Sequence, residues 1–188
     1  TLGGARQGSL LSVIDRTLTG AGARELAARL SGPLTDVRAI RRRQDMVQHF
    51  YDDAGLRALT RNELRRAPDL ERALARLSVG RGGPRDMLAI REALIRAARL
   101  KQHLWEAGRD LAGMPDDLGA LLADLGQQEI LIARLGEALK PEPPLLTRDG
   151  GFIAPGYHAG LDELRQLASE SKRVIAGLEQ HYRQLSGV

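Results

Sequence analysis

No cysteine occurs in the 188 residues. Disulfides, thiol nucleophiles and cysteine-ligated zinc or iron–sulfur centres are therefore excluded. Aromatic residues make up only 3% of the chain, so any core has to be assembled from Leu, Ala, Ile and Val. No apolar run approaches the roughly 20 residues that a membrane-spanning helix needs. The first residues also lack the basic-then-apolar pattern of a secretory leader, so a soluble cytoplasmic protein is the expectation. Lysine is scarce as well, supplying three of the 28 basic residues.

What is present favours helix. Ala and Leu are abundant, charged residues reach 28%, and β-branched residues do not cluster, a composition that predicts an all-α bundle. A chain of this length suits one domain or one large helical module with a real core. The polar, glycine-rich start "TLGGARQGS", beginning at Thr1, reads as a segment of a longer protein. The net charge of +4 conceals an asymmetry: residues 1–100 hold 19 basic and 11 acidic side chains, residues 101–188 hold 9 and 13. A basic first half suits nucleic acid or an acidic neighbour. It equally suits solvated arginine-rich helix faces, and no aromatics interleave with the arginines as single-strand binders require.

Helix signals punctuate the chain. Ser9 is placed to cap a first helix containing Leu10, Leu11, Val13, Ile14 and Leu18. Thr19 caps a second through about Leu30, stopped by Gly32 as a left-handed turn and by Pro33. Thr35 or Asp36 caps a third, in which Val37, Ile40, Val47 and Tyr51 share a face beside Met46 and Phe50, with Arg41, Arg42 and Arg43 spread opposite. That face has to pack on something. Short helices are expected at 56–64 and 70–77. Pro84 then opens a long one whose seam runs Met87, Ile90, Leu94, Ala97, Lys101 and Leu104, the lysine stem snorkelling. Met114-Pro115 ends it, and helices over 118–125 and 128–139 precede "KPEPPLL", whose prolines force an extended path. The clearest periodicity comes last: Leu161, Leu164, Ala168, Ser171, Ile175, Leu178, Tyr182 and Leu185 alternate by threes and fours. This predicts one helix roughly 40 Å long with a stripe suited to a partner helix.

Chemistry is sparse. The histidines at 49, 103, 158 and 181 are too scattered for a short-spaced metal set, and His103 with Glu106 reads as surface polarity rather than ligation. The glycines of "GRGGP" invite a phosphate loop, yet neither the lysine nor the preceding strand of a Walker motif is there. No G-x-S-x-G or H-E-x-x-H occurs. Asp162 and Glu163 are poorly directed for acid/base work and well placed for the dipole of the last helix. One stretch stands apart, "LLTRDGGFIAPGYHAGLDELR" (145–165). Asp149-Gly150 is a strong tight-turn dipeptide between Leu145-Leu146 and Phe152-Ile153, which predicts a short two-stranded excursion or an extended loop. A phosphate cradle at the following helix start stays open as an alternative. The favoured reading is a structural joint formed by Asp149, Gly150, Gly151, Pro155 and Gly156.

In order and spacing, "GSLLSVIDRTLTGAGARELAARLSGPLTD", "RRRQDMVQHF", "APDLERALARLSVGRGGPRDMLAIREAL" and "RDGGFIAPGYHAGLDELRQL" resemble the core or lever region of the MutS family of DNA mismatch-recognition ATPases. The resemblance covers nearly the whole chain, and its most specific blocks are the "DLER…ARL…GRGGPRDM" and "RDGG.IA.GY…LDELR" runs. It implies a helical core over 1–156 and a lever helix over 157–188 leading toward a clamp domain outside this chain, with a lever seam of Leu161, Leu164, Ala168, Ile175, Leu178 and Leu185. It implies no catalytic, metal or cofactor site here, since neither the Phe-x-Glu wedge nor a Walker A loop is in the sequence; ATP and Mg belong to the full-length protein. Mismatched duplex DNA, the other MutS domains, a second copy of the full-length protein and a MutL-type protein are the implied partners, in a nucleoid-associated setting. The implied role is mechanical coupling of DNA binding to an ATPase elsewhere. A stand-alone basic helical nucleic-acid-binding module is the competing expectation.

Overall fold

A computed structural model describes residues 8–109, 114–126 and 128–186. The elements are α1 (Leu10–Ile14), α2 (Gly20–Ser31), α3 (Val37–Asp52), α4 (Ala54–Arg66), α5 (Leu70–Ser78), α6 (Pro84–Arg109), α7 (Asp116–Asp124), α8 (Glu129–Ala138), a 3₁₀ turn at Thr147–Asp149 and α9 (Ala159–Ser186). Helix accounts for the architecture, as the composition predicts, and the described residues contain a single isolated β-bridge, between Leu139 and Ile153. The glycine-rich start, residues 1–7, lies outside the described residues.

Capping explains many of the starts. The side chains of Ser9, Thr19, Asp36, Asp53 and Asp69 each accept a backbone N–H from the first turn of the helix that follows, satisfying donors that the helix itself leaves open. Asp36 rather than Thr35 caps α3. Gly32 ends α2 with φ −128°, so it is not the left-handed turn expected of it, and the stop falls to Pro33. Leu18 lies beyond α1, which closes at Asp15.

Two apolar clusters form, both on α6. Leu104 of α6 meets Leu56 of α4 and Leu118 and Leu122 of α7, with Met46, Phe50 and Leu100 packed around them. Nearer the start of α6, Ile90 meets Ala73 of α5, Leu135 of α8 and Leu139, joined by Leu77, Met87, Leu94 and Phe152. Aliphatic side chains dominate both, as a chain poor in aromatics requires. Lys101 interrupts the seam, and its Nζ donates to the carbonyl of Leu125 at 2.6 Å. That carbonyl belongs to the residue closing α7, where a cation is favoured by the helix dipole.

The α3 face departs from expectation. Met46 and Phe50 pack into the first cluster, whereas Val37, Val47 and Tyr51 are exposed. The pattern had placed all of them in one buried stripe. The contact with α4 and α7 takes only the flank carrying Met46 and Phe50, because a single neighbouring surface covers about a third of a helix circumference.

Arginines of the basic half largely staple helices together. Arg24 of α2 grips Asp69 at 2.8 Å and Glu71 at 2.6 Å, Arg96 of α6 meets the buried Glu63 of α4 at 3.3 Å, and Arg61 donates to the carbonyl of Arg16 at 3.2 Å. The Arg24 hydrogen bonds, with the Arg72 backbone N–H, hold the Asp69 carboxyl down to about 2, against about 3.9 for a free Asp. Because the folded value is the lower one, the stability from the Asp69 charge is fully present above about pH 4 and is lost as pH falls through about 2. In chemical denaturation, Asp69→Asn is therefore expected to trail the wild-type chain by a constant margin above pH 4, and the electrostatic part of that margin shrinks toward pH 2.

Candidate functional site

The stretch at 145–165 builds the root of α9. Pro141, Pro143 and Pro144 have no N–H to give to a ladder, so pairing is confined to the two ends of the excursion: Lys140 N–H donates to the Phe152 carbonyl at 2.9 Å, and Ala154 N–H to that of Ala138 at 2.8 Å. The expectation was a two-stranded excursion or an extended loop, and the stretch is a loop pinned at its base. Leu145 and Leu146 do not face Phe152 and Ile153; both are exposed, and the residues paired are 138–140 with 152–154. Asp149-Gly150 is not a two-residue turn either. Thr147–Asp149 forms a 3₁₀ turn closed by Gly150 at φ 65°, and Gly151 follows at φ 70°, a left-handed pair that only glycine takes without strain.

After the bridge the chain turns again at Pro155-Gly156, Gly156 having φ 83°. Its N–H donates to Asp162 Oδ2 at 2.7 Å, while His158 Nδ1 accepts from Leu161 N–H at 3.2 Å. Arg165 completes the fastening, its Nη1 on Asp162 Oδ1 and its Nη2 on the Ile153 carbonyl, both at 3.0 Å. Arg134 of α8 donates to Tyr157 Oη at 3.4 Å. The Gly156 N–H and the Arg165 guanidinium hold the Asp162 carboxyl below the usual carboxylate range. The five joint residues of the sequence reading thus lie in two successive turns at one place in the fold. Arg165, Asp162 and the Ile153 carbonyl, which fasten the second turn to the first helical turns of α9, were not singled out as a set.

The second motif block meets the same place. A Cβ on Gly83 would lie 2.6 Å from the Leu145 carbonyl oxygen, and one on Gly82 within 2.5 Å of the Leu77 side chain. Arg85 Nε donates to the carbonyl of Pro143 at 3.2 Å, and Pro143 is buried. The glycines of "GRGGP" therefore let backbone approach backbone. Nor is the start of α6 open to an anion: Asp86 Oδ2 accepts the Gly83 N–H at 2.9 Å and its Oδ1 takes Arg76 Nε at 2.9 Å. Asp86 is kept below the ordinary carboxylate range by Arg76 first and the Gly83 N–H second. At the start of α9, Asp162 likewise occupies the Gly156 N–H, so the phosphate-cradle alternative finds an internal carboxylate at each helix start. Among the described residues no group of three or more His, Asp or Glu side chains is placed to hold a metal ion. Glu106 accepts from Gln102 at 3.0 Å.

From root to tip, α9 runs 28 residues, about 42 Å at 1.5 Å per residue. Of the seam, Leu161 is half-buried, and Leu164, Ala168, Ile175, Leu178 and Leu185 are exposed; Leu167, Val174 and Tyr182 add to the same uncovered surface.

A family model described as MutS domain III matches residues 1–186. The chain belongs to the MutS domain III family. Curated relatives agree: DNA mismatch repair protein MutS of Rhodopseudomonas palustris (strain BisB5) is 48% identical over 189 residues, that of Nitrobacter hamburgensis 48% over 189 and that of Roseobacter denitrificans 47% over 187. Each match covers 100% of this chain and 20–21% of the relative, so this MutS domain III segment spans about a fifth of the length of the proteins it resembles. Gly83 and Arg85 of the first of the two sequence blocks meet Leu145 and Pro143, just upstream of the second. Their spacing along the chain gave no sign of that contact.

The Gly83 approach has a measurable cost when filled. Gly83→Ala drives a Cβ into backbone and is expected to destabilise by about 1–3 kcal/mol. Gly119→Ala on α7, where a Cβ meets nothing within 4 Å, is expected to stabilise by up to ~1 kcal/mol. Urea midpoints of the two variants against the unaltered chain check this, with the shifts in opposite directions.

Proposed function

We propose that this segment is the non-catalytic core and lever of a MutS-like mismatch-repair protein, mechanically coupling DNA engagement at one end to ATP turnover in a domain outside the chain. The observation that carries the reading is α9: a helix of 28 residues fastened at its root by Arg165 and Asp162 and exposed along its apolar stripe. A helix transmits displacement because its backbone hydrogen bonds are internal, and packed arrangements move between discrete states rather than deforming continuously. Residues 1–156 act as the body and 157–188 as the lever, with Asp149, Gly150, Gly151, Pro155 and Gly156 as the joint. The uncovered stripe of Leu161, Leu164, Ala168, Ile175, Leu178 and Leu185 is then the seat of a second lever helix from the same full-length protein.

On this reading ATP and Mg bind elsewhere in the full-length protein. Mismatched duplex DNA, a second full-length copy and a MutL-type protein are partners of the whole, in the bacterial cytoplasm near the nucleoid. No described helix is long and apolar enough to cross a membrane. Internal pairing of Arg24, Arg61, Arg76 and Arg96 weighs against a stand-alone nucleic-acid-binding module, because each guanidinium so engaged is one fewer for phosphate.

Coupling is a free energy between two sites, so it is read in the full-length protein. With Arg165→Ala, the ratio of mismatched-duplex affinities measured with ADP and with ATP is expected to fall severalfold toward one, while ATP hydrolysis without DNA stays near the unaltered rate. An unchanged ratio in a protein whose melting shows the joint disturbed would contradict the lever reading.

A further inference from the structure

Ser9, Thr19, Asp36, Asp53 and Asp69 cap α1 to α5 through side-chain oxygens. The long helix α9 is capped by a nitrogen. His158 directly precedes Ala159, the first residue of α9, and its Nδ1 accepts the Leu161 N–H at 3.2 Å, the bond that an N-cap oxygen makes three residues on. Its carbonyl accepts from Leu161 and Asp162 at 3.0 and 3.2 Å. The ring lies back over the first turn, its Cε1 3.5 Å from the place of a Cβ on Gly160. His158 is exposed, so the ring meets solvent protons.

An imidazole accepts a hydrogen bond only at a nitrogen that carries no proton, and both nitrogens of an imidazolium are donors. Hydroxyl caps keep their acceptor at every pH, whereas imidazoles ordinarily change charge between about pH 5 and 8. The surrounding charges set the sign. Asp162 attracts an imidazolium, yet its Oδ2 already holds the Gly156 N–H at 2.7 Å and its Oδ1 holds Arg165 at 3.0 Å. Arg165 also reaches the Ile153 carbonyl of the bridge, and Arg134 of α8 reaches Tyr157 beside His158. These guanidiniums and the positive end of the α9 dipole oppose a second cation. The neutral ring is the form that fits.

We infer that His158 is a proton-sensitive cap on the root of α9: neutral, it closes the first helical turn; protonated, it lets that turn open, so the joint loosens as pH falls. Because the cap binds the neutral form, its stabilisation is present at higher pH and is lost as the ring takes up a proton. As regulation of the joint this rests on the lever reading. The cap itself does not, and the test reads the helix root whether or not α9 transmits anything.

Hydrogen exchange of the Leu161 amide is followed in the full-length protein without nucleotide or DNA, by fragmentation mass spectrometry with intrinsic rates corrected for pH. From about pH 8 to about pH 5.5 its protection is expected to fall about fivefold, the ratio lost with a typical helix cap. Asp162, held below the usual carboxylate range by the Gly156 N–H and Arg165, stays charged across that interval. His158→Asn supplies a cap oxygen that does not titrate, and its protection is expected to be the same at both pH values. His158→Ala is expected to give the low value at both. Equal protection at the two pH values in the unaltered protein, an undiminished fall in His158→Asn, or full protection in His158→Ala at the higher pH would each overturn it.

Discussion

Burial of α6 between two aliphatic clusters is the constraint on which the other described elements depend. Its early half supplies Ile90 to the cluster shared with α5 and α8, and its late half supplies Leu104 to the cluster shared with α4 and α7. Twenty-six residues, about 39 Å of helix, thus set the separation of the two cores. With little aromatic volume beyond Phe50 and Phe152, each cluster relies on close fit among leucines and alanines, so small approaches matter: Ala73 is fully buried, and Gly83 brings the start of α6 against the Leu145 carbonyl. That approach aligns the excursion after α8, and the excursion carries α9.

Charge works at a second level. The first half of the chain is strongly basic, yet many of its arginines bind carboxylates or carbonyls of neighbouring elements: Arg24 ties α2 to α5 and Arg96 ties α6 to α4, and in the second half Arg165 likewise ties the start of α9 to the bridge. The planar guanidinium suits this role because it can reach two acceptors at once, as Arg24 does with Asp69 and Glu71 and Arg165 does with Asp162 and Ile153. Net charge therefore describes the partners of the chain poorly.

Much of the fold was legible because caps and periods are local. Ser9, Thr19 and Asp36 precede their helices in the sequence, Pro84 marks the first turn of α6, and the three-four alternation after Leu161 is the helix α9. The joint residues were legible as turns, since paired glycines and Pro-Gly have few other uses. What was not legible is what depends on contacts distant in sequence. The excursion about Asp149-Gly150, expected as two strands or an extended loop, pairs only at its base, 138–140 with 152–154, because three prolines deny the nearer strand its donors. Val47 and Tyr51 were expected to be buried because a helical period reveals that a face is apolar and not how wide the neighbour covering it is. Gly83 resembled part of a phosphate loop because nothing nearby in the sequence reveals Leu145, 62 residues on.

Whether α9 is a rigid extension of the body is the claim on which the lever reading turns. Spin labels on Ile130→Cys of α8 and Tyr182→Cys of α9, both exposed positions in a chain with no other cysteine, report it through their pairwise distance distribution. A joint fastened by Arg165, Asp162 and the Ile153 carbonyl predicts one narrow distribution, which broadens when Arg165→Ala is added. A broad distribution in the otherwise unaltered chain, indifferent to that substitution, would contradict it.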